Sequence, residues 1–262
     1  MADAFTDFES ARAVLAWYRD MGVEEAVGLE PADWSAPAPA ASPAAKPKAP
    51  TFAPPPKRDG LAEAAADAER IAAACETVEA LAEAVAAFEG CPLKPGARST
   101  VFMDGVAGSD LLVIGEAPGR EEDARGLPFI GRAGKLLDAM LAAIGRSRSE
   151  NCLISNVIYW RPPGNRTPTS EEVAICKPFA LRLVELSRPK AIALMGGAAA
   201  QALGGVTSGV MRARGTWRQV ETKSGSVPAL PMLHPAYLLR QPAMKRTAWR
   251  DLLSLEARLN KP

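Results

Sequence analysis

Four short apolar runs alternate with stretches of helical periodicity through the second half of the chain. The runs predict β-strands at Leu111–Ile114, Cys152–Ile158, Ala191–Met195 and Leu230–Leu233. This alternation predicts an α/β fold, a three-layer α/β/α sandwich built on a central four-stranded parallel sheet. Ligands of such sheets bind beyond the carboxyl ends of the strands, so we expect the loops after these strands to form the functional site.

The first 59 residues follow a different pattern and predict two appendages. Apolar residues recur at helical spacing within residues 1–30, which predicts an amphipathic docking helix. Nine of the 23 prolines fall within residues 31–59, which predicts a Pro/Ala-rich flexible linker. The folded domain is predicted at residues 60–262, and it opens with a helical pattern that runs without a breaker to about Phe88.

Composition bounds the class of protein. The chain has 262 residues, 48% of them hydrophobic, which is enough for one well-buried domain. The net charge of +1 does not mark a nucleic-acid-binding protein, so any such surface must be local. No apolar run reaches the roughly 18 residues of a membrane span, and the start lacks the basic flank of a secretory signal. We therefore expect a cytoplasmic protein without a membrane partner.

The turn after the first predicted strand carries a carboxylate. In the run Gly115-Glu116-Ala117-Pro118-Gly119, the glycines and the proline make a tight turn whose backbone can approach a ligand. Glu116 would then face the crevice. The same run also fits an ordinary strand-to-helix turn with solvated acids, and it lacks the G-x-G-x-x-G of a dinucleotide site.

An aromatic and an amide are candidates for binding a base. Phe129 lies just before Gly131 and Arg132, so it can stack a base while Arg132 and a helix N-terminus meet phosphate. It can equally cap the core. Asn156 lies near the end of the second predicted strand, where its amide can read a pyrimidine edge, although Asn is also a common turn residue.

The only histidine of the chain, His234, follows the fourth predicted strand and precedes Pro235. This position is at the mouth of the expected crevice. A histidine before proline can also be a hydrogen-bonded structural residue. The nearby Leu238 and Leu239 fit either the core or a wedge pushed between bases.

Taken in this order, the motifs resemble the uracil-DNA glycosylase superfamily, and specifically its type-4 branch. The resemblance runs from about Gly90 to Trp249. It implies a monofunctional enzyme that flips deoxyuridine out of DNA and hydrolyses its N-glycosidic bond, leaving an abasic site for base excision repair. It also implies a monomer whose partner is uracil-containing DNA, single- or double-stranded. No lysine lies in the motifs to form a Schiff base, so water is the expected nucleophile.

The resemblance also implies residue roles. Glu116 is similar to the family carboxylate that positions water and stabilises the cationic sugar, and His234 to the donor to uracil O2, so these two are the expected catalytic residues. Phe129 resembles the stacking ring and Asn156 the reader of the uracil edge. The full expected base-binding set is Ala117, Phe129, Asn156 and Glu122.

The DNA contacts implied by the resemblance lie on the same loops. Leu238 is similar to the wedge that fills the gap left by the flipped nucleotide. The remaining expected DNA-binding residues are Pro118, Gly119, Arg132, Pro163, Gly164, Asn165, Arg166, Pro235, Ala236 and Arg240.

One departure from the family pattern concerns cysteines. Type-4 enzymes usually hold a [4Fe-4S] cluster through four cysteines, of which only Cys91 and Cys176 match here. Phe88 and Trp160 stand at the other two positions. Cys75 and Cys152 do not fit the pattern. We therefore predict no metal ligands and no cofactor, with the large rings filling the vacated volume.

Two further function classes stay open. One is a DNA-damage binding protein that holds uracil or abasic DNA with little turnover. The chain has no second histidine and no inserted basic loop after Gly196, which argues against relatives that trap DNA covalently. A nucleotide-binding regulatory domain is a third reading, but no Walker loop is present.

Overall fold

A computed structural model describes residues 58–261. The predicted amphipathic helix in residues 1–30, and the predicted linker except for its last two residues, lie outside this range. The first described helix begins at Arg58, two residues before the predicted start of the domain at Gly60.

The described residues form a six-stranded mixed sheet. We number its strands in chain order. They are β1 (Met103–Gly105), β2 (Leu111–Gly115), β3 (Cys152–Asn156), β4 (Ala191–Met195), β5 (Arg218–Thr222) and β6 (Gly225–Met232). The spatial order is β1-β3-β2-β4-β6-β5. The four predicted strands are the central, mutually parallel ones.

The two edge strands were not predicted. Strand β1 runs antiparallel to β3, and β5 runs antiparallel to β6, so a short antiparallel strand borders each side of the parallel core. The predicted bounds also change. Strand β3 ends at Asn156 rather than Ile158, and β6 begins five residues before Leu230.

Helices cover both faces of the sheet. They are α1 (Arg58–Ala74), α2 (Val78–Ala87), α3 (Arg120–Arg125), α4 (Arg132–Ala142), α5 (Ser170–Ser187), α6 (Gly197–Gly204), α7 (Val210–Ala213), α8 (Pro235–Arg240) and α9 (Lys245–Leu259). None of the helices in residues 58–261 is long and apolar enough to cross a membrane.

Alternation along the strands explains the three layers. On β2, Leu112 and Ile114 pack in one core with α1, α2, α5 and α6, whereas Leu111 and Val113 pack in a second core with α4, α8 and α9. Successive side chains of a strand point to opposite faces, so a fully apolar strand feeds both cores. The α/β/α sandwich expected from the sequence is therefore confirmed.

The helical pattern expected to run unbroken to Phe88 is interrupted. Helix α1 ends at Ala74 and α2 begins at Val78, with Thr77 as N-cap accepting a hydrogen bond from the Ala80 amide at 3.1 Å. Threonine favours this capping role because its oxygen satisfies a free N–H of the first turn. The expectation missed the break because a capping threonine is not a helix breaker.

Candidate active site

A cleft of about 600 Å³ opens at the carboxyl ends of the central strands, where the fold predicts a ligand site. The loops after β2, β3, β4 and β6 all contribute to its walls. Glu116, Ala117, Phe129, Asn156 and His234 line it together. The structure thus brings together the residues that the sequence placed on separate loops.

Gly115 lets two of these side chains approach one another. It is the last residue of β2 and pairs with Asn156, the last residue of β3. A Cβ at position 115 would collide with Asn156 Oδ1 and with the ring of Phe129. Only a residue without a side chain fits this point, so the glycine expected for a ligand-facing turn instead makes room for the amide and the ring.

Asn156 is 2% exposed, yet its amide makes no hydrogen bond with any residue of the described range. The amide atoms are not among the fully enclosed unpaired atoms of the described residues, so they are accessible from the cleft that Asn156 lines. An unpaired amide beside a cleft is therefore suited to a ligand that supplies both an acceptor and a donor.

Glu116 lies on the cleft wall in the loop after β2 and is partly buried. Desolvation by burial raises the pKa of its carboxyl group above the usual range. Within residues 58–261 no side chain or amide hydrogen-bonds to this carboxylate. It can therefore act on a water molecule or on a developing positive charge.

His234 is the N-cap of α8, and its Nδ1 accepts a hydrogen bond from the Ala236 amide at 3.1 Å. This bond places the proton of the neutral ring on Nε2. Burial, with a smaller effect of Arg240, lowers the pKa of His234 to about 4. The imidazole is therefore neutral at physiological pH and presents an N–H donor.

The rings of Phe129 and His234 stack with centroids 5.4 Å apart and an interplanar angle of 26°. Gly196, the residue after β4, lies beneath the histidine, because a Cβ there would meet His234 Cβ at 3.2 Å. The loop after β4 was expected to border the site, but no residue of it was assigned a role. Its contribution is backbone space rather than chemistry, which residue type alone does not reveal.

Glu122 lines the cleft, but its carboxylate is already occupied. One oxygen accepts the Gly119 amide at 3.1 Å, and the other accepts the amides of Ile130 and Gly131 at 3.1 and 3.0 Å. The expected role in binding the base is therefore not what this geometry favours. Glu122 ties the turn after β2 to the segment that carries Phe129.

The rim of the cleft contains most of the expected DNA contacts. Pro118 and Gly119 line the cleft, and Arg132 is exposed at the N-terminus of α4. Pro163, Gly164 and Asn165 form an exposed turn of 3₁₀ helix. At these positions the backbone and the side chain of Arg132 are accessible to a DNA strand that lies across the cleft.

The side chain of Arg166 is engaged in an ion pair although the residue lies at the rim of the cleft. Its guanidinium holds Glu172 in a two-pronged ion pair at 2.9 and 2.6 Å. Glu172 in turn caps α5 through the Thr169 amide. Arg166 therefore supports the start of α5 as well as facing the cleft.

The prediction that Leu238 is the wedge is wrong, because its side chain does not reach the surface. It is 1% exposed and packs in the core between α8 and the sheet, whereas its neighbour Leu239 is 36% exposed. Pro235 is buried as the first residue of α8, while Ala236 and Arg240 line the cleft. The six-residue helix α8 turns the side chain four positions after His234 toward the core, and the order of residues in the motif does not show this rotation.

Residues missed by the sequence also line the cleft. Val210 and Met211 open α7, and Met211 is 51% exposed. They lie outside every recognised motif and have no polar chemistry, so nothing in the sequence marks them as site residues.

A buried group, here called the thiol–aromatic cluster, comprises Phe88, Cys91, Trp160, Cys176 and Phe179. The Cys176 thiol points at Cys91 Sγ over 3.9 Å. This contact lowers the pKa of Cys91 and, together with burial, raises the pKa of Cys176 well above its usual range. Phe88 packs edge-on against Phe179 at 5.2 Å and tilted against Trp160 at 6.4 Å.

The other two cysteines, Cys75 and Cys152, do not hydrogen-bond to Cys91 or Cys176. The Cys75 thiol points at the carbonyls of Ile71 and Ala80, and Cys152 belongs to the core on the opposite face of the sheet. Within residues 58–261, no group of three or more His, Cys, Asp or Glu side chains is arranged to hold a metal ion.

Comparison with known proteins shows the family of the chain. The family model described as "Uracil DNA glycosylase superfamily" matches residues 102–253. The type-4 uracil-DNA glycosylase of Archaeoglobus fulgidus is 40% identical over 152 residues, 56% of this chain and 76% of that protein. That of Thermotoga maritima is 37% identical over 63% of this chain and 84% of its own length. That of Pyrobaculum aerophilum is 33% identical over 67% and 91%. The chain therefore belongs to the uracil-DNA glycosylase superfamily.

Proposed function

We propose that the protein is a monofunctional uracil-DNA glycosylase that removes uracil from DNA in base excision repair. One observation carries this conclusion: a single cleft holds an unpaired amide, a stacking ring, a neutral imidazole and a desolvated carboxylate. These groups match the parts needed to bind a flipped base and to separate charge across its glycosidic bond.

The flipped uracil stacks on Phe129 while Asn156 reads its edge. The amide of Asn156 offers its oxygen to uracil N3–H and its N–H₂ to uracil O4. Cytosine presents the opposite pattern, an acceptor at N3 and a donor at C4, which would leave both groups of the buried amide unpaired. A site built for specific hydrogen bonds rejects such an analogue strongly.

Cleavage moves the electron pair of the C1′–N1 bond onto the base. The Nε2–H of His234 donates a hydrogen bond to uracil O2 as negative charge builds there, without giving up its proton. The carboxylate of Glu116 stabilises the positive charge on the sugar and orients a water, which adds to C1′ and passes its proton to Glu116. The uracil anion leaves and takes up one proton, either from Glu116 or from solvent in exchange with it, so that free uracil and an abasic site are the products and Glu116 is a carboxylate again.

Water serves as the nucleophile because no lysine lines the cleft in the described part of the chain. A lysine amine would be needed to form a Schiff base with the sugar and to cleave the strand. The reaction therefore stops at the abasic site.

DNA lies across the rim. Its phosphates meet Arg132 with the N-terminus of α4, and Arg240 at the end of α8. The gap left by the flipped nucleotide is filled by an exposed apolar side chain. Leu239 fits this role in place of Leu238, because Leu238 is buried in the core.

No iron–sulfur cluster is part of this proposal, because the residues present do not fit one. A [4Fe-4S] cluster needs four thiolates, and only Cys91 and Cys176 approach each other, with a separation of 3.9 Å. The aromatic rings of Phe88, Trp160 and Phe179 pack against one another beside them. They fill the interior that a cluster would require.

The catalytic domain is residues 60–262, and residues 1–59 are appendages that excision of short substrates does not require. The protein acts as a monomer in the cytoplasm, and the four free, buried thiols of the domain suit a reducing compartment.

The test uses the purified full chain with oligonucleotides that carry one uracil, single-stranded or paired with guanine or adenine, in EDTA. Alkali-labile cleavage at the uracil is expected, with none at a matched thymine. Tight binding of uracil-DNA without cleavage would favour the damage-binding alternative. A variant that lacks residues 1–57 should cleave the same substrates at an unchanged rate.

A further inference from the structure

The segment that carries the stacking ring has an unfavourable backbone. Phe129 has φ of 53°, in the left-handed region, and no polar side-chain atom with which to compensate locally. Such a conformation is unfavourable for a non-glycine residue and persists only where the surroundings fix it. The contacts that hold this conformation should therefore involve the peptide groups on either side of Phe129.

Arg148 supplies hydrogen bonds from behind the segment and does not line the cleft. Its Nη1 donates to the Pro128 carbonyl at 3.0 Å and its Nη2 to the Phe129 carbonyl at 2.7 Å. The remaining three N–H groups hold the carboxylates of Asp138 and Asp104 at 2.8 to 2.9 Å. All five guanidinium donors are thus used, and α4 and β1 fix the arginine in turn.

Glu122 acts on the other side of the same segment. It accepts the amides of Ile130 and Gly131 at 3.1 and 3.0 Å. The peptide unit between Phe129 and Ile130 is therefore held at both ends, its carbonyl by Arg148 and its N–H by Glu122. A Cβ at Gly134 would collide with the same carbonyl, so the backbone of α4 closes the third side.

We propose that Arg148 is a positioning residue, which together with Glu122 fixes the Phe129–Ile130 peptide and so holds the Phe129 ring beside His234 before DNA binds. This inference rests on the proposed function, in which Phe129 stacks the flipped uracil. A ring already fixed in its stacking position avoids an ordering cost in the bound state, and displacements of about 1 Å in such groups cost up to about 10²-fold in rate.

The test is a double-mutant cycle of Arg148→Lys and Phe129→Ala, read as single-turnover excision of uracil and as the affinity for uracil-DNA relative to thymine-DNA. Lysine keeps the charge but cannot span two carbonyls and two carboxylates. We expect Arg148→Lys alone to lower excision and uracil preference about 10-fold. On the Phe129→Ala background the same change should have less than about a twofold effect, because the ring through which Arg148 acts is gone.

Arg182→Lys is the matched control. Arg182 is similarly buried and donates twice to the Cys75 carbonyl and once to Glu185, far from the cleft. It should lower the melting temperature like Arg148→Lys while leaving excision and uracil preference unchanged.

The outcomes separate this inference from the proposed function. Excision by the wild-type chain with effects of Arg148→Lys and Phe129→Ala that multiply, or with equal losses in Arg182→Lys, would overturn the positioning role alone. A wild-type chain that neither cleaves nor prefers uracil-DNA would overturn both. If it prefers uracil-DNA without cleaving it, the affinity arm of the cycle decides the positioning role.

Discussion

The cleft and the thiol–aromatic cluster each take a residue from the segment 156–160, but the polar groups of Asn156 and Trp160 are satisfied in opposite ways. Asn156 and Glu116 in the cleft have no hydrogen-bond partner within the described range. Trp160, four residues after Asn156, is 1% exposed, packs against Phe88 and bonds Thr100 through its ring N–H at 3.0 Å. The unpaired groups of the cleft lower the free energy of unfolding in the absence of a ligand. The packed and hydrogen-bonded ring of Trp160 raises it.

This difference separates catalysis from folding. Substitutions in the cleft should reduce excision with little loss of stability, and substitutions in the thiol–aromatic cluster should do the reverse. Unpaired polar groups at functional sites are expected to cost stability.

The largest effect is expected for His234→Asn. Loss of the donor to uracil O2 should reduce single-turnover excision about 10³-fold, comparable to removing one donor from an oxyanion hole. DNA affinity should change little, because the donor acts mainly on charge that develops in the transition state. Quenched-flow excision with a parallel binding titration measures both, and an unchanged rate would remove His234 from the mechanism.

Trp160→Ala tests the other side of the comparison. Removing a fully buried ring should lower the free energy of unfolding by about 3 kcal/mol, because the cavity cannot collapse completely. Chemical denaturation measures this loss. Excision per folded molecule should stay at the wild-type level at low temperature, and a matching loss of rate would mean that the two regions are not separable.

The buried imidazole predicts a pH-dependent stability. The pKa of His234 is lowered to about 4, so the unfolded chain binds this proton more readily, and stability falls as pH drops below about 6.5. The loss between pH 6.5 and pH 4.5 should be about 2 kcal/mol from this residue. Denaturation of wild type and His234→Asn over this range checks it, since the variant should lack that component.

The smallest effect is expected in the paired thiols. Cys91→Ser should cost only about 1 kcal/mol, because the serine stays close in volume and keeps a hydrogen-bonding group beside Cys176. Excision should not change. Loss of folding in this variant, measured by circular dichroism, would show that the thiol holds more of the structure than its contacts indicate.

Much of the fold was predictable because the central strands are buried on both faces and read as continuous apolar runs. The edge strands were not. Strand β1 has only three residues, and β5 has a single apolar residue, Val220, among polar and charged ones. Pro228 lies within the early part of β6, where proline argues against a strand, so that part was missed.

The site was predictable where chemistry sits in the motifs and not where it depends on geometry. Glu116, Phe129, Asn156 and His234 meet as expected. The exchange of Leu238 for Leu239 depends on the rotation of one short helix. Arg148 lies outside every recognised motif, and only its contacts with backbone carbonyls reveal it.

The most direct measurement takes one preparation of the full chain and determines iron, acid-labile sulfide and uracil excision together. The account predicts excision with neither iron nor sulfide, no broad absorbance near about 400 nm, and a rate unaffected by chelator. Stoichiometric iron and sulfide would contradict the packing explanation for Phe88 and Trp160. A chain that lacks iron and sulfide and does not excise uracil would contradict the catalytic roles proposed for the cleft residues.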